Sequence, residues 1–151
     1  MGAHIGAHFV RRAIWIDAKP DDVWEEFTTI ERMRAWYGTG HTLVQYEPRL
    51  GGVVETDAAS DVATHGEDAP PLRFVGAVVV FEPGRELTFE QDWVGHGWTT
   101  PPLITIRLTE HDGGTIVELF HHGFGADDQA GFEEGWTNRQ LVALRERVAA
   151  Q

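Results

Sequence analysis

Hydrophobic side chains recur with helical spacing near the end of the chain, over residues 125–150. Spacings of i, i+3 and i+7 place three of them on one face of a helix, and an i, i+4 pair lies on the neighbouring face. The apolar positions of this segment are Phe132, Trp136, Leu141, Leu144 and Val148. The pattern predicts one long amphipathic helix, whose apolar side needs a large partner surface.

Most of the chain before this helix alternates between apolar and polar positions with a period of two, which is typical of half-buried strands. Strands are predicted at residues His8–Ile16, 41–47, 53–56, 72–81, 86–94, 103–109 and 115–122. Pro83-Gly84 and Asp112-Gly113 mark tight turns between consecutive strands. Short connections of this kind predict an antiparallel meander. Longer loops are predicted at residues 57–71 and 95–102.

Two short helices are predicted between the first and second strands. Pro20 at the first helical position, with Asp21 and Asp22 in the first turn, marks the start of one helix. Thr28 and Glu31 have the spacing of a capping box, which predicts the start of the next. The apolar positions of the second helix are Ile30, Met33, Trp36 and Tyr37, and Gly38 is expected to end it.

These elements predict a single α+β domain over residues 1–151. A curved antiparallel sheet of about seven strands would carry two short helices after its first strand and the long helix at its end. Such a sheet has an apolar face to cover, and the C-terminal helix is the predicted cover.

The composition narrows the function classes. The 24 acidic and 12 basic residues give a formal charge of −12, which argues against binding to nucleic acid or to an anionic membrane surface. The absence of cysteine excludes disulfides, thiolate nucleophiles and cysteine zinc sites. No apolar run reaches the roughly 18 residues of a membrane helix, and no signal peptide is recognisable. We therefore expect a cytoplasmic protein without membrane insertion.

Several local motifs follow one another in a specific order along the chain. They are residues 16–24 (IDAKPDDVW), Trp36, Gly51-Gly52, residues 81–87 (FEPGREL), residues 114–124, and Gly135-Trp136 followed by Leu141 and Leu144. In this order the motifs resemble the START-like (SRPBCC) superfamily, and within it the bacterial relatives of the C-terminal domain of the Hsp90-ATPase activator. The resemblance implies the helix-grip fold, with a deep cavity between the curved sheet and the long helix. Superfamily members include lipid and hormone carriers, aromatic polyketide cyclases, other enzymes and co-chaperones, so the fold does not select a function.

Two polar residues share the apolar side of predicted strands. Gln91 has the parity of Phe89, and His121 has the parity of Leu119. Because the apolar side should face the helix, both polar side chains are expected to point into the cavity. The residues predicted to contact a ligand are Trp36, Phe74, Phe89, Gln91, Trp93, Trp98, Leu119, His121, Phe132 and Trp136. No metal site is predicted, since the adjacent His121 and His122 would point to opposite faces.

Three functions remain open on these grounds. The first is binding of a small hydrophobic molecule, for which the many tryptophans suggest an aromatic ligand. The second is a cofactor-free enzyme of the cyclase, dehydratase or lyase type, with His121 as general acid or base and Gln91 orienting an oxygen. The third is a co-chaperone-like interaction module, which only the family branch suggests. No cofactor is expected, and formation of a homodimer is left open.

Overall fold

The computed structural model describes residues 8–37, 41–58, 72–93, 102–124 and 139–151. Within these ranges the elements are β1 (His8–Ile16), α1 (Pro20–Trp24), a 3-10 turn (Glu25–Phe27), α2 (Ile30–Tyr37), β2 (His41–Tyr46), β3 (Val53–Ala58), β4 (Leu72–Glu82), β5 (Glu86–Glu90), β6 (Asp92–Trp93), β7 (Leu103–His111), β8 (Gly114–Phe124) and α3 (Arg139–Ala149).

The eight strands of the described residues form one curved antiparallel sheet in the order β1-β8-β7-β5-β4-β3-β2, with β6 pairing with β4. Strands joined by short turns lie side by side, as the meander requires. Strand β1 is separated in the sequence from its partner β8, and their pairing places the first strand beside the last one. The predicted fold class is therefore confirmed.

The β7–β8 hairpin shows how a local sequence sets the register. Asp112 and Gly113 have φ angles of 49° and 77°, and His111 pairs with Gly114 on either side of them. A left-handed conformation at both central positions gives a two-residue turn whose twist matches that of the strands. The Asp-Gly turn forms as predicted, and both strands extend beyond the predicted limits.

The N-terminal cap of α2 is not the one predicted. Thr29 Oγ1 accepts the backbone N–H of Arg32 at 3.1 Å, whereas the hydroxyl of Thr28 donates to the carbonyl oxygen of Glu25 at 2.6 Å. The 3-10 turn before α2 shifts the helix start by one residue, so the capping box of Thr28 and Glu31 does not form.

The strand predicted at residues 86–94 is also wrong as a single element. It is divided at Gln91, whose backbone N–H donates to the carbonyl oxygen of Pro102 at 2.8 Å. After this residue the chain continues along β4, where Phe74 pairs with Trp93. The division leaves Gln91 between two strands.

The core lies between the inner face of the sheet and the helices. Buried apolar side chains of the central strands meet those of α2 and α3, including Leu87, Ile106, Leu119, Met33, Leu141, Leu144 and Val148. Helix α3 packs against α2 and β1. It confirms the last part of the predicted C-terminal helix, while residues 125–138, with Phe132 and Trp136, lie outside the described residues.

Strand β2 lies at one edge of the sheet, and a side chain of α2 donates hydrogen bonds to its backbone. The Nε and Nη2 atoms of Arg34 donate to the carbonyl oxygen of Leu43 at 3.0 and 2.8 Å. One guanidinium therefore binds an acceptor of the strand at the border of the sheet. None of the helices in the described part of the chain has the length and apolarity needed to span a membrane.

Candidate functional site

One row of cross-strand neighbours on the inner face combines a polar side chain with apolar ones. From β1 to β4 the row consists of Val10, His121, Ile104, Phe89 and Val78. All five are buried. Since neighbouring strands are about 4.8 Å apart, His121 and Phe89 lie about 10 Å from each other. The row gives His121 apolar neighbours on both adjacent strands.

A second polar group lies where α2 meets the end of β5. The side chain of Gln91 is buried, and its Nε2 donates to the hydroxyl of Tyr37 at 3.5 Å. The ring of Tyr37 meets Phe89 edge-on, with 6.1 Å between centroids. Burial raises the pKa of Tyr37 above its usual value, so this hydroxyl stays protonated. Tyr37 of α2, Phe89 of β5 and Gln91 thus form one group that connects the helix to the sheet.

The other predicted contact residues take different places. Trp36 is buried and donates its Nε1–H to the carbonyl oxygen of Glu26 at 3.1 Å, and its ring packs against Phe27 and Tyr37. Phe74 is buried on β4, and Leu119 is buried on β8 beside the row of His121.

The structure therefore brings Phe89 and Gln91 together through Tyr37, with Trp36 behind them. Leu119 and His121 lie further along the same face. The backbone of Trp93 pairs with that of Phe74. Trp98, Phe132 and Trp136 lie outside the described residues, so their predicted contacts are untested.

The sequence pattern does not single out three further buried polar residues: Tyr37, Gln140 and Glu26. Tyr37 counts only as an apolar position in the helical pattern, although its hydroxyl is the polar group that α2 adds here. The burial of Gln140 could have been predicted from the sequence, because it lies four residues before Leu144 and eight before Val148 and so shares their helical face.

Glu26 is buried where the short helices meet α3. Its carboxylate accepts hydrogen bonds from Arg32, Arg147 and Gln151. Two of these partners come from α3 and the residues that follow it. Among the described residues, no group of three histidine, aspartate or glutamate side chains is placed to hold a metal ion.

Comparison with known families identifies the chain. Residues 17–148 match the family described as "Activator of Hsp90 ATPase homolog 1-like protein". The chain belongs to this family. No curated protein matches the sequence in a direct search.

Solved structures support the same fold. Protein CV1439 from Chromobacterium violaceum is similar with a TM-score of 0.74 and 17% identity, over 93% of this chain and 96% of that one. DynU16, a protein of the dynemicin biosynthetic locus, has a TM-score of 0.68 and 21% identity, over 93% of this chain and 47% of its own. The Aha1 dimer from Colwellia psychrerythraea has a TM-score of 0.64 and 15% identity, over 93% and 96%. At these identities the likeness concerns the fold alone.

Proposed function

We propose that the chain binds a small hydrophobic ligand of aromatic character between the inner face of the sheet and the helices, and that Gln91 and Tyr37 hydrogen-bond a polar atom of that ligand. The observation that supports this most directly is the Tyr37–Gln91 contact on a face that is otherwise apolar around Phe89. Burying an amide costs about 1–3 kcal/mol without a partner. A core that served packing alone would be better filled by leucine at position 91.

The chemical character of Tyr37, Phe89 and Gln91 suits the recognition of a small ligand. Small-molecule sites are mostly apolar and carry a few polar groups that fix the orientation of the ligand. Here Phe89 supplies an aromatic surface, while the amide of Gln91 and the hydroxyl of Tyr37 supply donors and acceptors. DynU16, a fold relative, belongs to a biosynthetic locus, which is compatible with work on a small organic molecule.

The test compares 2-acetylnaphthalene with naphthalene, which has the same apolar body without the oxygen. Titration calorimetry and quenching of tryptophan fluorescence should give saturable binding, stronger for the ketone. Gln91→Leu should weaken ketone binding about tenfold and leave naphthalene binding nearly unchanged, because one hydrogen bond is lost. Val79→Thr, at an exposed position of β4, is the control. Non-saturable quenching by both compounds would contradict the proposal.

A second candidate function is favoured by the position of His121. This histidine lies in the buried row with Phe89, where a general acid or base could reach a substrate that rests on the aromatic ring. The reaction would be of the cyclase, dehydratase or lyase type, with His121 moving a proton and Gln91 orienting an oxygen.

The test of catalysis uses a β-hydroxyketone, 4-hydroxy-4-phenylbutan-2-one. Abstraction of the proton next to the carbonyl and loss of hydroxide as water give a conjugated enone, which is followed by its ultraviolet absorbance. Wild-type protein should accelerate the reaction, and His121→Phe should abolish the acceleration while retaining binding. Equal rates for the two proteins would remove His121 from this role.

A homodimer belongs to the same proposal, supported by the solution structure of the Aha1 dimer. Light scattering over a range of concentrations should approach twice the mass of the chain. A mass of one chain at every concentration would exclude the dimer.

A further inference from the structure

A fully buried carboxylate fixes two arginines at the junction of the helices. Glu26 is 0% exposed. Its Oε1 accepts Arg32 Nη1 at 3.2 Å and also the side-chain amide of Gln151, and its Oε2 accepts Arg147 Nε at 2.8 Å. A carboxylate removed from water needs such partners. The guanidinium groups of α2 and α3 are therefore held in a defined orientation.

Most of the hydrogen-bonding capacity of the two arginines remains available. A guanidinium has five N–H donors, and each arginine uses one of them on Glu26. The side chains of Arg32 and Arg147 are still 43% and 39% exposed. Within the described residues, Glu26 is the ion-pair partner of both. Two positive charges thus share one buried negative charge.

The two arginines line a groove between α2 and α3. Its volume is about 670 Å³, and Ala35, Ala143 and Ala150 form part of its wall. The short alanine side chains leave room beside the guanidinium groups. Glu146 also lines the groove, but it is exposed, so water screens its charge.

We propose that this groove binds an oxyanion, a phosphate or carboxylate group carried by a small organic molecule, through Arg32 and Arg147. The planar guanidinium matches both groups with paired N–H donors. Because Glu26 already holds the arginines in place, binding loses less side-chain entropy than it would with free arginines. The organic part of the ligand would lie against the alanines. This site is separate from the inner-face site and does not depend on it.

The wild-type protein is titrated with inorganic phosphate, phenyl phosphate and benzoate, with sodium chloride at matched ionic strength as the reference. The side-chain N–H signals of Arg32 and Arg147 in nitrogen-15 NMR should shift saturably with the oxyanions and not with chloride. Tighter binding of phenyl phosphate than of inorganic phosphate identifies an organic phosphate as the ligand class, and preference for benzoate identifies a carboxylate.

The matched variants are Arg147→Met and Arg145→Met, two substitutions on α3. Arg145 is exposed and forms no ion pair with the described residues. Arg147→Met should weaken binding about tenfold or more, while Arg145→Met should bind as wild type. Equal losses in both variants, or a chloride response as large as the phosphate response, would overturn the proposal. If Arg147→Met does not fold, the wild-type titration decides. The proposal is then overturned if neither arginine shows a saturable shift.

Discussion

Arginine–carboxylate pairs occur in two regions of this molecule that differ in their access to water. At the helix junction, Glu26 is buried and bonded from two helices. On the outer face of the sheet, Arg11 pairs with Glu118 at 2.7 Å and Arg107 with Glu86 at 3.1 Å. The distances are similar in the two regions. The outer carboxylates keep about a fifth of their surface in water, so losing a partner costs them far less.

Other polar contacts near these pairs also differ in their access to water. On the outer face, Arg11 and Arg107 each lie 5.9 Å from the ring centre of Phe120, in contacts that water can replace. Near the helix junction, the hydroxyl of Tyr46 donates to the carbonyl oxygen of Phe27 at 2.7 Å in a buried bond. Polar contacts of equal geometry should therefore differ in their contribution to stability.

The largest effect is expected from Glu26→Ala. Loss of the buried carboxylate removes charge-assisted hydrogen bonds to two helices, so the free energy of unfolding should fall by about 2–4 kcal/mol. Glu118→Ala is the matched control and should cost less than about 1 kcal/mol. Urea denaturation followed by circular dichroism measures both, and equal losses would refute the contrast between the regions.

A loss of stability at alkaline pH is the next expected effect. Burial raises the pKa of Tyr37 and of Tyr46 above the usual value of about 10. Above that pH the unfolded chain binds fewer protons than the folded one, so stability falls as the pH rises. These are the two tyrosines of the chain. Tyrosinate absorbance should thus appear together with unfolding, and normal titration of the folded protein would contradict the prediction.

Tyr46→Phe should have a smaller effect. The substitution leaves the carbonyl oxygen of Phe27 without the donor that lies 2.7 Å away, at a cost of about 1 kcal/mol. Thermal unfolding should show the decrease, and it should not depend on salt concentration. An unchanged melting temperature would mean that water replaces the hydroxyl.

The smallest effect is expected from Arg11→Ala. The side chain of Arg11, which pairs with Glu118, is half exposed, so the free energy of unfolding should fall by less than about 1 kcal/mol. The difference from wild type should shrink further at high salt. A loss as large as that of Glu26→Ala would place the outer-face pair in the same energetic class as the buried one.

Much of the fold follows from local patterns in the sequence. The period of two places the strands, the Asp112-Gly113 turn sets a hairpin, and the spacing of Leu141, Leu144 and Val148 gives the buried face of α3. Parity agrees with the burial of His121 and Gln91, while their roles toward a ligand stay predictions.

The remaining features depend on contacts that are remote in the sequence. Glu25 and Glu26 are adjacent glutamates, and only the second is buried, because Arg147 and Gln151 meet it from the other end of the chain. Helical spacing places Glu26 on the side of the buried Val23 and Phe27, but the local sequence does not show which side chains will pair with its carboxylate there. The division of the strand at Gln91 likewise depends on Pro102, which belongs to a later segment.

The guanidinium of Arg34 on the carbonyl oxygen of Leu43 has a consequence for self-association. Open N–H and C=O groups on an outermost strand can recruit a strand of another molecule and start a cross-β stack. Here an incoming strand must first displace the guanidinium group of Arg34, which donates two hydrogen bonds to β2. Light scattering of Arg34→Ala during prolonged incubation should therefore rise faster than that of wild type. We therefore expect the contact of Arg34 with β2 to oppose fibril growth from that edge of the sheet.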